Sequence, residues 1–317
     1  MDLRPLGRTG LSTAPLVFGG NVFGWTADEK TSFSLLDAWL DAGMNTVDTA
    51  DVYSRWVSGH SGGESETILG KWFARSGKRD KVLILTKVGS DMGSGRRDLS
   101  ARWILEAVED SLRRLQTDVI DLYQSHWPDP DTPYEETLGA YAKLLEQGKV
   151  RAIGCSNLDA EQLAAALEAA RERGLPRYET LQPGYNLYDR QDFEGPLRDL
   201  AVSEGLGVIT YFSLGAGFLT GKYRSKEDLA QSPRGERVAK YLDDRGFRIL
   251  AALDEVSARC DAKPAEVALA WLIAQPGVTA PIASATSLGQ LDSLIRATRL
   301  RLSAEDLATL DRASALV

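Results

Sequence analysis

Val82-Leu83-Ile84-Leu85-Thr86-Lys87 is an apolar run that ends in a cation. A helical segment at residues 100–115 follows, capped by Ser100, and then a second apolar run, Val119-Ile120-Asp121-Leu122-Tyr123. A strand, a helix and another strand in succession pair in parallel, because the helix carries the chain back to its starting edge. On either side of this unit the same alternation recurs. Upstream lie a strand at Leu16-Val17-Phe18-Gly19-Gly20, a helix at residues 31–42, a strand in Asn45-Thr46-Val47-Asp48 and a helix at residues 64–74. The first of these helices carries Phe33, Leu36, Trp39 and Leu40 at helical spacing and closes at Gly43.

Downstream the order is helix 134–147, strand 150–155, helix 160–173, strand 180–182, helix 193–204 and strand 207–211. A helix from about Phe247, helix 264–274, strand 278–282, helix 288–297 and a last amphipathic helix, 303–315, complete the chain. Ser303 and Asp306 form a capping pair for that last helix. Eight strands, each followed by at least one helix and with no linker between them, predict a closed (β/α)8 TIM barrel of the α/β class. Residues 2–14, with Gly7-Arg8-Thr9-Gly10 between short apolar segments, predict an N-terminal β-hairpin, and the final helices are additions at the C-terminus. Residues 1–317 are expected to form a single domain. The polar stretch 223–245 is too long for an ordinary loop of this fold and is expected to be a functional flap.

Composition bounds the function. The chain has 317 residues and a net charge of −8, which argues against a nucleic-acid partner. Two cysteines, Cys155 and Cys260, do not make a disulfide framework, and a cytoplasmic location is expected. No stretch approaches the ~18 apolar residues of a membrane span. The start of the chain lacks the apolar run of a signal peptide.

In a barrel of this kind the active site lies at the carboxyl ends of the strands. The second strand runs into Asp48-Thr49-Ala50-Asp51-Val52-Tyr53, the third ends in Lys87 and the fourth in Gln124-Ser125-His126-Trp127. Ser156-Asn157, Gln182 and Tyr211 follow on the fifth, sixth and seventh. Each has an ordinary explanation alone: a solvated lysine, a packed histidine, an aspartate capping a helix. An acid, a phenol, an ammonium and an imidazole from three consecutive strands are harder to dismiss. A nearby ammonium lowers a phenol's pKa, a carboxylate keeps the ammonium charged, and an imidazole orients a carbonyl oxygen. Such a set protonates a carbonyl as hydride arrives from a cofactor. Asp51 reads as a turn residue and Cys155 as packing.

The chain resembles the aldo-keto reductases over essentially its whole length, nearest the bacterial and potassium-channel β-subunit-like branches. The resemblance is carried by Val47-Asp48-Thr49-Ala50-Asp51-Val52-Tyr53, Leu85-Thr86-Lys87, Leu122-Tyr123-Gln124-Ser125-His126, Ile153-Gly154-Cys155-Ser156-Asn157, Leu181-Gln182-Pro183 and Leu219-Thr220-Gly221-Lys222. It implies a catalytic tetrad of Asp48, Tyr53, Lys87 and His126. It also implies NADPH, with NADH as the other coenzyme to test, at the top of the barrel without a Rossmann domain. Ser156, Asn157 and Gln182 match the positions that hold the carboxamide, Tyr211 the residue stacked on the nicotinamide, and Ser284, Thr286 and Gln290 the adenosine end. The full expected cofactor set adds Gly20, Asn21, Asp48, Phe212, Ser213, Leu214, Gly215, Gly217, Lys222 and Arg234.

Gly215-Ala216-Gly217 and Gly221 imitate a Rossmann fingerprint, but a polar loop follows them where an apolar-faced helix is needed. Their backbone N–H groups, with Lys222, are expected to suit phosphate. Other members of the family often carry a Lys or Arg nearby to pair with a 2′-phosphate, and a Glu-Asn pair just after, where this chain has Ser293 and Leu294; here the cation is expected instead from the flap, at Arg234 or Lys226. Trp25, Trp56 and Trp127, with Phe23 near them, are expected to wall a substrate pocket beside His126, for a planar carbonyl compound or the apolar face of a sugar. Trp39, Trp72 and Trp271 read as core. The expected function is reduction of an aldehyde or ketone to an alcohol by a monomer or homo-oligomer. The alternatives are a sugar dehydrogenase, or a cofactor-binding regulatory subunit with slow turnover. A metal-dependent hydrolase using Asp48, Asp51, His126, Asp129 and Asp131 is disfavoured, since His60 and His126 are the only imidazoles and Lys87 would repel the metal.

Overall fold

A computed structural model describes residues 2–231 and 235–316. Two short strands, β1 (Arg4–Pro5) and β2 (Ser12–Thr13), pair antiparallel as the expected hairpin. Then come β3 (Val17–Gly19), α1 (Glu29–Asp41), β4 (Thr46–Asp48), α2 (Glu64–Ser76), β5 (Leu83–Val88), α3 (Ala101–Leu115), β6 (Ile120–Ser125) and α4 (Tyr134–Glu146). The second half holds β7 (Val150–Ser156), α5 (Ala160–Arg173), β8 (Thr180–Gln182), α6 (Pro196–Ser203), β9 (Gly207–Thr210), the short α7 (Gly235–Val238), α8 (Asp244–Cys260), α9 (Pro264–Ala274), β10 (Ala280–Ala283), α10 (Leu288–Ala297) and α11 (Ala304–Ser314). Strands β3 to β10 close into a barrel in which β10 pairs with both β3 and β9, every pair being parallel. This is a (β/α)8 TIM barrel with an N-terminal hairpin and extra C-terminal helices.

The strands read as near-continuous apolar runs because both of their faces are buried. Alternation along β5 shows the division. Leu85 joins Val17, Leu122, Ala152, Ile209, Ala280 and Ile282 inside the barrel, while Ile84 packs outward with the helices. Leu6 and Leu11, from the hairpin, enter the same interior cluster and plug its lower end. One residue further on, Thr86 turns outward and donates to Glu66 of α2 at 2.6 Å, and Lys87 turns inward. The pleat therefore delivers Lys87 to the axis at the carboxyl end.

Capping sets several helix starts. Ser100 accepts from Trp103 N, and Ser303 with Asp306 makes a capping box, as expected. Helix α6 begins later than its sequence pattern suggests, because Pro196 fixes its first turn and Phe193 is a fully buried anchor of the preceding turn. Helices α2 and α3 approach closely at Gly70, where an added Cβ would lie 2.0 Å from Arg114 O. Trp39, Trp72 and Trp271 are core, each no more than 1% exposed. Among the described residues, the polar stretch after β9 carries local helical structure. It folds into 3₁₀ turns at Lys226–Gln231 and Ala239–Tyr241 around α7, and Tyr241 stacks on Phe218 at 5.3 Å. Among the described residues no helix is long and apolar enough to cross a membrane.

Candidate active site

At the carboxyl end of the barrel, Lys87 Nζ reaches Asp48 Oδ2 and the Thr49 carbonyl, both at 2.7 Å, and lies 3.2 Å from Tyr53 OH. Gln182 Nε2 donates to the other Asp48 oxygen at 2.8 Å. Lys87 and Asp48 are sealed, 0% and 2% exposed, whereas Tyr53 is partly exposed to a cavity above them. The loop carrying Tyr53 is held by Ser54, whose hydroxyl donates to the Phe23 carbonyl at 2.9 Å. His126 follows β6, its N–H donating to Val88 O at 2.8 Å, and its ring meets Tyr53 edge-on at 5.9 Å. Ser90 Oγ lies 2.8 Å from His126 Nδ1.

Burial governs the titration of these groups. Burial acts against the Lys87 charge, but Asp48 and the Tyr53 oxygen outweigh it and hold the ammonium above its ordinary pKa. Burial likewise pushes the Asp48 carboxyl upward, with Lys87 and Gln182 pulling against it. Tyr53 is raised, not lowered: burial is the largest cause, and Asp48 and Asp51 add to it while Lys87 opposes. The expectation that the ammonium brings the phenol below its usual pKa is therefore corrected. Tyr53 is thus a protonated hydroxyl at neutral pH. His126 is held well below the usual imidazole range, first by burial and then by Lys87 and Arg97, so the ring is neutral at pH 7.

Asp51 is not an ordinary turn residue. It is 2% exposed, and neither carboxylate oxygen has a hydrogen-bond partner among the described residues. Its N–H donates to the Lys87 carbonyl at 3.2 Å. Burial, then the neighbouring Glu66 charge, raises its pKa to about 8 against the pull of Arg114 and Lys87. Glu66 is itself held by Thr86 and by Arg114 Nε at 2.7 Å. Cys155 is fully buried and its thiol pKa is pushed up by that burial, in keeping with packing. Among the described residues no three His, Cys, Asp or Glu side chains gather as a metal site.

The cavity, about 1050 Å³, brings most of the expected residues together. Asp48, Tyr53, His126, Asn21, Ser156, Asn157, Gln182, Tyr211, Phe212, Ser213, Leu214, Gly217, Lys222, Ser284, Thr286 and Gln290 line it, as do Trp25, Trp56 and Trp127. Gly20 and Gly215 are not in its wall, and neither is Lys226. Arg234 lies outside the described residues. Around the expected nicotinamide positions, Tyr211 OH donates to Asn157 Oδ1 at 2.6 Å, Asn157 Nδ2 to the His126 carbonyl at 2.8 Å and Ser156 Oγ to the Gln182 carbonyl at 2.7 Å. Asn157, Phe212 and Ala216 on the cavity wall have left-handed backbone, with φ of 61°, 54° and 55°. Such strain concentrates at binding sites.

The glycine loop departs from expectation. Gly215 N–H and Gly217 N–H donate to the Phe212 and Leu214 carbonyls at 2.7 and 2.9 Å, so these amides serve their own turn and are not free for phosphate. Sequence reasoning missed Ser90, Thr220, Arg237, Lys263 and Ser287, all of which line the cavity. Ser90, three residues beyond Lys87, was within reach of the strand-end rule. Arg237 and Lys263 were not, because only the packing of α7 and α9 against the turn at Gly215–Thr220 brings them to the same cavity. Lys263 is the N-cap of α9, three residues before Glu266, which accepts from Ser293 of α10 at 2.6 Å, so it stands beside the expected adenosine end. A cavity whose wall holds the cations Lys222, Arg237 and Lys263 as well as Asp48 and Tyr53 has room for an anionic cofactor and a small organic substrate.

Comparison with known proteins agrees. Residues 15–315 match the profile of the Aldo/keto reductase family. The uncharacterized oxidoreductase YrpG of Bacillus subtilis is 38% identical over 98% of this chain and 95% of its own length. The aldo-keto reductase YhdN of the same organism is 36% identical over 94% and 87%. A probable voltage-gated potassium channel subunit beta of Oryza sativa is 32% identical over 92% and 89%. The chain belongs to the aldo/keto reductase family. In general terms it is therefore an NAD(P)H-dependent oxidoreductase acting on small-molecule carbonyl compounds.

Proposed function

We propose that this protein is an NADPH-dependent reductase of an aldehyde or ketone, with Tyr53 as the general acid. The observation that carries the reading is the Tyr53 hydroxyl 3.2 Å from a sealed ammonium, itself tied to Asp48 at 2.7 Å, at the floor of the cavity. The nicotinamide, when bound, supplies hydride to the carbonyl carbon. Tyr53 gives its proton to the carbonyl oxygen, and Lys87 stabilises the phenolate that remains. Asp48 keeps Lys87 charged and in place. His126, neutral, directs an N–H at the same oxygen and orients it. Asn157, Ser156 and Gln182 would hold the carboxamide, and Tyr211 would stack on the ring. The indoles of Trp25, Trp56 and Trp127 would seat the organic part of the substrate, an aromatic carbonyl or a sugar.

Tyr53→Phe removes the proton and little else. Its carbonyl reduction, followed by loss of NADPH absorbance, should fall by at least about a thousandfold, while NADPH still quenches protein fluorescence. Retention of most of the activity would refute the assignment. We also propose that Arg237 and Lys263 favour NADPH over NADH by facing the 2′-phosphate. The double variant Arg237→Ala/Lys263→Ala should raise KM for NADPH and leave KM for NADH nearly unchanged, and an equal effect on both coenzymes would refute that role.

Likeness to the rice channel subunit supports a second reading, a cofactor-binding regulatory subunit with slow turnover. Tight NADPH binding with no reduction of 4-nitrobenzaldehyde or any other test carbonyl would favour it. The proposed setting is the cytoplasm, with residues 1–317 acting as one barrel domain.

A further inference from the structure

We infer that Ser90 is a positioning residue that fixes the tautomer of His126, donating its hydroxyl proton to Nδ1 so that the ring presents Nε2–H to the substrate carbonyl. The inference rests on the reductase reading for what Nε2–H does, but not for whether the tautomer exists. Ser90 Oγ and His126 Nδ1 are 2.8 Å apart, and the two residues are only 7% and 8% exposed. Among the described residues Ser90 Oγ has no other hydrogen-bond partner. Were Nδ1 protonated, it would donate to Ser90. The serine proton would then lack a protein acceptor, and Nε2 would turn a lone pair toward a carbonyl oxygen, which repels it. With Ser90 as donor, both groups are satisfied and the outward nitrogen is a donor.

The scaffold keeps the pair together. Gly89, at φ 98°, sets the turn that aims Ser90, and an added Cβ there would meet Leu99 Cδ2 at 2.4 Å. Asp129, in the loop after His126, accepts from Leu99 N at 2.8 Å and so ties the two loops to each other. The Asn157 side chain holds the His126 carbonyl at 2.8 Å, which fixes the backbone from which the ring projects. The imidazole is neutral at pH 7, so a choice between tautomers exists to be made.

The chain has two histidines, His60 and His126, which makes the test direct. Long-range ¹H–¹⁵N correlation spectra of the histidine-labelled full-length protein, assigned with His60→Gln, report which ring nitrogen carries the proton. The expected wild-type pattern is an unprotonated Nδ1 and a protonated Nε2 for His126. Ser90→Ala should move both shifts toward the values of a tautomer mixture and lower kcat for carbonyl reduction on the order of tenfold, with a smaller change in KM. Ser90→Thr, which keeps the hydroxyl, should restore the shifts and most of kcat. A protonated Nδ1 in the wild-type protein, or shifts unmoved by Ser90→Ala, would overturn the inference. If the wild-type protein reduces no carbonyl, the reductase reading fails, and the spectra alone still decide the role of Ser90.

Discussion

Replacing Asp51 by asparagine should flatten the dependence of stability on pH. The folded protein holds the Asp51 proton with a pKa of about 8, whereas an unfolded aspartate releases it near 3.9. Between those values the unfolded chain binds fewer protons than the folded one, so stability falls as pH rises. The contribution is complete below about pH 4 and is lost progressively toward pH 8. Each pH unit inside that window costs about 1.4 kcal/mol, so moving from about pH 5 to about pH 7 costs roughly 2.7 kcal/mol through this one group. At about 2 °C per kcal/mol for a chain of this size, the Tm change attributable to Asp51 is roughly 5 °C. Asparagine has nearly the same shape and no proton to lose. The assay is thermal or urea unfolding of both proteins at the two pH values, read as the difference between their pH responses. Asp51→Asn should gain on the wild type as pH rises. Parallel pH dependences would refute the reasoning, because they would mean that Asp51 is ionised, or sufficiently hydrated, in the folded state.

Three further outcomes are expected. With His126 held well below the usual imidazole range and Tyr53 raised above the usual phenol value, reduction at saturating coenzyme should show no ionisation of either group between about pH 6 and 9. A pH–rate profile with a break near the ordinary imidazole pKa would contradict this. Lys87→Met leaves Asp48 buried beside Gln182 without its counter-ion. It should lower kcat at least about a hundredfold and also cost about 3 kcal/mol of stability, measured by steady-state kinetics and urea unfolding. Gly70→Ala would put its Cβ 2.0 Å from Arg114 O and should destabilise by about 1–3 kcal/mol through displacement of α3, visible as a lower urea midpoint at unchanged slope.

The barrel was legible because its strands are buried on both faces and so read as unbroken apolar runs, with Val82 to Lys87 the clearest. Ser100 and the Ser303–Asp306 pair gave away helix starts because capping is local chemistry. Asp48, Tyr53, Lys87 and His126 could be read as one group because barrel geometry converts strand ends into a common place. What stayed hidden depends on contacts between distant segments. Asp51 looks like a turn residue from its neighbours, and only Glu66 on α2 and Arg114 on α3 reveal its enclosure. The phenol's direction of titration was misjudged for the same reason. The sign follows from burial, whereas the sequence showed only the ammonium. Gly215 and Gly217 advertised free amides, yet their turn consumes them.

The three indoles at the cavity mouth arise from separate loops, after β3, β4 and β6, whereas Asp48 and Lys87 belong to the strands themselves. On the proposed reading, recognition and reactivity are thus inherited only partly on different parts of the chain. Trp25 stands apart from the reactive groups in sequence, so exchanging its loop would retune what enters without rebuilding the chemistry beneath. Trp127 directly follows His126 and stacks on its ring at 6.1 Å. Trp56 is tied in the same way. It sits three residues beyond Tyr53 and packs edge-on against that ring at 5.6 Å. A lineage diversifying this protein would vary the first wall freely, and could change the second or third only by re-seating the phenol or the imidazole with it.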